Sequence, residues 1–232
     1  MAHMACDYEM IAGLETHAEL STETKIFCSC STAFGGEPNT HCCPVCMGMP
    51  GVLPSLNRKV VEFAVLAGLA TNCKVNLYSR MDRKNYCYPD LPKAYQITQF
   101  DFPICENGWI QLQNGRKIHI RRIHIEEDAG KLLREGNTIH IDYNRCGVPL
   151  IEIVTEPDIR SPEEAREYVE ELQKMLRYLG ISDCRMQEGS LRCDVNLSMR
   201  RKGESALGQR TEIKNMNSLS NMVKAMEYEA ER

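Results

Sequence analysis

The chain has 232 residues, 43% hydrophobic and 26% charged. That is enough length and apolar content for the core of one large domain or two small ones, and it excludes a disordered chain. Lys plus Arg number 28 against 32 Asp plus Glu, a net charge of −4, which excludes a uniformly basic surface wrapped by nucleic acid, so any such contact must come from local patches.

No uncharged apolar run reaches the roughly 18–20 residues of a membrane helix. The first residues lack the basic and apolar regions of a signal peptide, and residues 1–5 read as a cloning remnant ahead of the domain. In Tyr8–Leu20, Met10, Ala12, Leu14 and Leu20 share one parity while Glu15, His17 and Glu19 share the other, which predicts a half-buried strand. Two cysteine pairs follow, Cys28-Ser29-Cys30 and Cys43-Pro44-Val45-Cys46. A helix is predicted over Asn57–Asn72, with Val60, Val61, Ala64, Val65 and Leu69 as its apolar stripe. Asp82–Asp90, continued by Leu91–Gln96, reads as a loop rich in donors and rings.

In Lys117–Glu127 the alternation slips, because Ile118 and Ile120 are even whereas Ile123 and Ile125 are odd. This predicts a bulge near Arg121–Arg122 and places Glu127 on the Ile123/Ile125 side. Thr138–Asn144 alternates again, and Val148–Val154, apolar except for Glu152, reads as a central strand. Ser161-Pro162-Glu163-Glu164 is an N-cap, a proline at the first helical position and a capping box, opening a helix that Gly180 stops. Strands follow at Leu191–Met199 and Arg210–Lys214, and a third amphipathic helix begins near Ser218 and runs to the last residue, as expected of a fragment of a longer chain. The predicted class is α+β: a largely antiparallel sheet with one wet face and helices on the other.

The chain has 12 Cys. Without a secretory signal they point to a reducing, cytoplasmic compartment, with Cys73, Cys87, Cys184 and Cys193 serving as small hydrophobes. Cys28, Cys30, Cys43 and Cys46 fit a structural zinc knuckle at residues 28–46, two thiolates from each turn, with His41 and Cys42 as nearby substitutes. The second signal is a set of polar strand positions: Glu15 and His17, then Glu127, Glu152, Glu188, Asp194 and Glu212. A sheet face carrying so many carboxylates repels itself unless cations intervene, and Mg²⁺ on such a face commonly holds nucleotide phosphates. Arg83, Lys84, Arg192 and Lys214 supply complementary charge. Tyr86, Tyr88 and Tyr95 are suited to stacking on bases or sugars while Lys84 and Lys93 neutralise phosphate. Basic clusters at Arg116–Arg122 and Arg200–Lys202 offer further patches for nucleic acid, although a charge run is more often a solvated face. Neither a P-loop nor a Gly-x-Gly-x-x-Gly fingerprint occurs.

Gly13-Leu14-Glu15-Thr16-His17-Ala18-Glu19-Leu20, the Cys28–Gly51 knuckle, Asp82–Asp90 with Pro92–Gln99, His124–Lys131, Asp142–Pro157, Glu188–Asn196 and Glu212-Ile213-Lys214-Asn215 come in the order of one family. From about Tyr8 to its end the chain resembles the GatB family, which forms part of the tRNA-dependent amidotransferases. The resemblance implies a cradle domain similar to glutamine synthetase, here over residues 6–232, with the family's C-terminal helical and tail domains absent from the chain. It implies ATP- and Mg²⁺-dependent phosphorylation of the side chain of Glu or Asp misacylated on tRNA, then amidation by ammonia. The ammonia comes from a GatA-type glutaminase subunit, with a small GatC-type subunit completing a heterotrimer. No DNA or membrane partner is implied. Glu15, His17, Glu127 and Glu212 look like the Mg²⁺ group and, with Lys84, the catalytic residues. Glu152, Arg192, Asp194, Lys214, Tyr86 and Tyr88 are candidates for the same substrate and ATP pocket. Cys28, Cys30, Cys43 and Cys46 match the zinc-binding form of the family. Two other readings compete: a non-catalytic zinc-containing RNA-binding module, and a glutamine-synthetase-like ligase acting on a small carboxylate.

Overall fold

The computed structural model describes residues 7–232, so the remnant expected at residues 1–5 lies outside the described residues. In chain order the elements are β1 (Tyr8–Glu19), α1 (Arg58–Ala70), β2 (Lys74–Val75), β3 (Asp82–Asn85), β4 (Tyr95–Thr98), β5 (Cys105–Gln111), β6 (Lys117–Glu127), β7 (Lys131–Glu135), β8 (Thr138–Asp142), β9 (Pro149–Thr155), α2 (Pro162–Tyr178), β10 (Leu191–Arg201), β11 (Thr211–Met216) and α3 (Leu219–Glu231). Seven strands form one antiparallel sheet in the order β11-β10-β1-β9-β6-β5-β2, while β3-β4 and β7-β8 are separate two-stranded sheets.

The alternation decides which face is dry. Ala12, Leu14, Thr16 and Ala18 of β1, Ile151 and Ile153 of β9, Ile123 and Ile125 of β6, and Cys193, Val195 and Leu197 of β10 are all buried. All three helices pack on this sheet, α2 presenting Ala165, Tyr168, Val169, Leu172 and Leu176 to the shared core. Each such aliphatic side chain contributes about 1.5–3 kcal/mol on burial, so the parity of every strand is fixed: a one-residue slip would turn the whole set to water. Helix starts are set by side-chain caps. Asn57 accepts from the Lys59 amide at 2.9 Å, Ser161 from Glu164 at 3.2 Å and Ser218 from Asn221 at 3.1 Å. Gly180, at φ +66°, follows the end of α2.

The bulge lies where the phase slips: the β6–β9 register shifts between Ile120 and Arg122, so that Arg121 is the extra residue. Two expectations need correction, and one strand of the main sheet is not anticipated. Asp82–Asp90 does not form a loop throughout; Asp82–Asn85 pairs with Tyr95–Thr98 as a hairpin, whose strands are too short and polar to announce themselves. β5 has no sequence signal because its alternation breaks at Asn107, which sits at φ +57° opposite the bulge. Cys87 is exposed, whereas Cys73, Cys184 and Cys193 are buried as expected. Among the described residues no helix is long and apolar enough to cross a membrane.

The Tyr168 hydroxyl is buried in the core without a hydrogen-bond partner among the described residues. Removing it relieves an uncompensated desolvation cost, so Tyr168→Phe is expected to raise the unfolding free energy by about 1 kcal/mol in denaturant titration, with an unchanged m-value.

Candidate metal centre in a polar cleft

On the wet face four neighbouring strands bring four side chains into a row. Register places Arg192 of β10 beside His17 of β1, His17 beside Glu152 of β9, and Glu152 beside His124 of β6. One Glu152 oxygen lies 3.5 Å from His17 Nε2 and 3.1 Å from His124 Nε2, and the same His124 nitrogen is 3.3 Å from Glu126. His17, Glu126 and Glu152 each direct a donor atom into one spot, all three atoms within 4.8 Å of one another. Carboxylate oxygens with one imidazole nitrogen suit a hard divalent cation.

The charges agree with that use. Burial opposes ionisation of Glu152, yet hydrogen bonds from His124 and His17 hold its carboxyl far below the usual range. Burial likewise works against a charged His124, but bonds to Glu126 and Glu152 win and raise its pKa to about 9; His17 is raised in the same way by Glu152. Without a metal, the carboxylates therefore favour the protonated form of each imidazole beside them. Beside this group Arg192 forks onto Asp128 at 3.2 and 2.7 Å. Burial and the charge of Asp128 push the carboxyl of the neighbouring Glu19 up, whereas burial of Asp128 is outweighed by Arg192 and Arg145, which hold its carboxyl low.

The cleft above this floor has a volume of about 1050 Å³. One wall is the β3–β4 hairpin with its loop, which places Arg83 over the Tyr95 ring at 4.2 Å, Lys84 over Tyr86 at 5.6 Å, and Tyr86 edge-on to Tyr88 at 6.3 Å. Lys214 lines the other side and pairs with Glu212 at 3.1 Å. Beyond Glu15, whose carboxylate accepts from Asn196 at 3.0 Å, a second hollow of about 220 Å³ opens between Gly13, Val154, Asn196, Leu207 and Arg210.

Glu15, His17, Lys84, Tyr86, Tyr88, Glu152, Arg192, Asp194 and Lys214 thus all line the cleft. The expected Mg²⁺ group, however, does not assemble as a set. Of its four members only His17 belongs to the three-donor cluster. Glu15 lines the cleft outside that cluster, and Glu212 is exposed at the sheet edge. Glu127 points to the opposite face, buried against Lys93 and the Ile97 amide. Lys93 does not reach the cleft either. Glu126, His124, Arg122 and Asp128 are cleft residues that the sequence reading misses. Parity is the available signal, since His124 and Glu126 lie opposite in phase to Ile123 and Ile125.

On the other side of Glu127 the thiols of Cys28, Cys30, Cys43 and Cys46 converge within 4.8 Å. A tetrahedral metal with bonds of about 2.3 Å needs sulfur separations of this order. Hydrogen bonds from Cys28 and from the Cys43 amide and thiol, with the nearby Lys25 ammonium, pull the Cys46 thiol down from its ordinary range, which favours metal binding there. Cys42 lies outside it, its sulfur directed at Asn144.

Residues 10–232 match the model of the GatB/GatE catalytic domain. The chain belongs to the GatB/GatE catalytic domain family. Its relatives include the B subunits of aspartyl/glutamyl-tRNA(Asn/Gln) amidotransferases. It is 65% identical over 233 residues to that of Caldicellulosiruptor saccharolyticus, 64% over 233 residues to that of Caldicellulosiruptor bescii and 59% over 234 residues to that of Carboxydothermus hydrogenoformans. These matches take in 97% of this chain but 48%, 48% and 49% of the relatives, so the chain spans about half their length.

The GatB/GatE cleft should leave a pH signature. His124 has a native pKa of about 9 against an ordinary 6.5, so its stabilising contribution is complete below pH 6.5 and disappears as the pH rises through 9. Glu152, held low, contributes above the ordinary carboxylate range and loses that contribution on acidification. In metal-free protein the thermal midpoint should therefore fall between pH 6.5 and 9, and His124→Gln should flatten that slope. Equal slopes in both proteins would contradict this assignment of charge.

Proposed function

We propose that this cleft binds Mg²⁺-ATP and phosphorylates the side-chain carboxylate of Glu or Asp esterified to tRNA, as the first step of tRNA-dependent amidation. The observation that carries the reading is a three-donor group on the cleft floor, His17, Glu126 and Glu152, facing a wall of Arg83, Lys84 and paired tyrosines across one cleft. His17, Glu126 and Glu152 would hold the Mg²⁺, which supplies charge neutralisation for the nucleotide's phosphate oxygens. The substrate carboxylate oxygen attacks the γ-phosphorus and ADP leaves. Ammonia then attacks the acyl carbon, phosphate departs and a proton is lost. Lys84, Arg122 and Lys214, which line the cleft, would stabilise the transferring phosphoryl group, and Tyr86 and Tyr88 would stack on the tRNA end.

The hollow beyond Glu15 suits the nucleoside. Four residues of β1 separate His17 from Gly13, about 13 Å at ~3.3 Å per residue, roughly the reach of a triphosphate with its ribose. A Cβ at Gly13 would meet only ordinary contacts of 3.5–3.6 Å, so a side chain there fills the hollow without breaking the fold. The names of the relatives support tRNA(Asn) and tRNA(Gln) as the tRNA partners. A glutaminase subunit of the GatA type, a small GatC-type subunit, further C-terminal domains, a cytoplasmic setting and a glutamine-synthetase-like cradle complete the proposal. The four thiols would hold a structural zinc. An RNA-binding zinc module leaves the paired His17–Glu152–His124 group without a role, and a ligase for a small free carboxylate leaves Tyr86 and the exposed Tyr88 without one.

Calorimetric titration of Mg²⁺-ATP tests the site. Glu152→Gln should weaken binding by at least about tenfold, and Gly13→Val should weaken nucleotide but not Mn²⁺ binding. Unchanged nucleotide affinity in both variants would sink the proposal. Mass spectrometry of the native chain should give one zinc per chain, lost in Cys46→Ser and retained in Cys42→Ser.

A further inference from the structure

The β3–β4 hairpin forms no ladder with the main sheet, yet it carries the cationic wall of the cleft. Much of its attachment runs through two consecutive carboxylates at the end of β6. On the wet face Glu126 accepts from Thr98 Oγ1 at 2.6 Å and Gln96 Nε2 at 3.2 Å. On the opposite face Glu127 accepts from the Ile97 amide at 2.9 Å and from Lys93 Nζ. Lys93 and Glu127 are 5% and 2% exposed at their side chains, an ion pair sealed from water.

What seals the pair is the thiol knuckle. Residues 43–49 turn back on themselves through amide bonds from Met47 to Cys43, Gly48 to Val45 and Met49 to Pro44. Gly48, at φ +65°, lies flat on Lys93: a Cβ there would stand 2.5 Å from Lys93 Cγ and 3.3 Å from its Cα. The Lys93 ammonium sits 5.7 Å from the ring centroid of Phe27, the residue that precedes Cys28. The contacts thus run without a gap from Cys43–Cys46 through Gly48, Lys93 and Glu127 to the backbone of β4.

We propose that Lys93 and Glu127 are positioning residues, a buried strut through which the four-thiol knuckle fixes the β3–β4 hairpin over the cleft. Glu127 then acts on the reaction through Ile97, the hairpin and its Arg83, Lys84 and Tyr86, without touching metal or substrate. The kinetic consequence rests on the reading of the cleft as a Mg²⁺-ATP site; the mechanical coupling does not.

The test uses the full-length chain in its assembled amidotransferase, with hydrogen exchange followed by mass spectrometry. Lys93→Met, Glu127→Gln and the knuckle variant Cys46→Ser should each raise exchange in residues 95–99 by about tenfold, and Lys93→Met combined with Cys46→Ser should add little to either. The KM for Mg²⁺-ATP should rise about tenfold in Lys93→Met and Glu127→Gln while kcat falls less than about threefold, and Mn²⁺ affinity in the cleft should stay within about threefold of wild type. Because a lone buried charge can unfold the protein, the double variant Lys93→Met/Glu127→Leu is the control. It should recover the thermal midpoint but not the protection of residues 95–99, since the acceptor for the Ile97 amide is gone. Unchanged hairpin exchange in folded single variants would overturn the proposal, as would full recovery of protection in the double variant or loss of Mn²⁺ binding in Glu127→Gln. If wild type failed to bind Mg²⁺-ATP while hairpin exchange still responded to Lys93→Met, the strut would stand and the nucleotide reading would fall.

Discussion

Everything on the wet face depends on one carboxylate, Glu152, standing at the middle of the central strand with imidazoles on both sides. Its neighbours Ile151 and Ile153 are locked into the core beneath, so the strand cannot rotate or slip to release the charge. A buried carboxylate without partners costs several kcal/mol. His17 and His124 offset that cost only because three adjacent strands hold them in register. The apolar back of the sheet and the ionic front are therefore one constraint, and the precision of the front comes from the dryness of the back.

The two sides of the cleft are built differently. The floor is continuous sheet, with donors on strands whose positions are fixed by ladders and by the helices behind. The hairpin wall hangs on side-chain and amide bonds to β6 and on the knuckle. A rigid floor suits a compact cation whose ligands must hold their geometry. A less firmly tied wall, with exposed Tyr88 and Lys84, suits a long, flexible polyanion that has to enter and leave.

Much of this is legible in the residues. The alternation of Tyr8–Leu20 and Leu191–Met199, the capping box at Ser161 and the interrupted phase at Arg121 give the strands, the helix and the bulge directly. The converging cysteines follow from their spacing. The carboxylates are harder. Parity puts Glu127 with Ile123 and Ile125, on the dry side, while the family resemblance groups it with His17; the two cannot both hold, and in the structure parity decides. Glu126, one residue earlier, stands with His17 and Glu152 in the three-donor cluster. The hairpin and the buried Lys93 are not legible, because a four-residue polar strand has no period to read, and a lysine whose charge is answered by a distant glutamate resembles any surface lysine.

The bulge in β6 has its own consequence. In a regular strand consecutive residues face opposite sides, so of two adjacent arginines one would be driven into the core. The extra residue turns both outward: Arg122 lines the main cleft, and Arg121, forked onto Glu156 at 3.0 and 2.7 Å, lines the hollow beyond Glu15. Removing Arg121 would leave Ile120, Ile123 and Ile125 in an unbroken alternation. On the β5 side Asn107 keeps step opposite Arg121, so the irregularity is confined to the β6–β9 ladder, and the longer strand sets a second guanidinium over the neighbouring hollow.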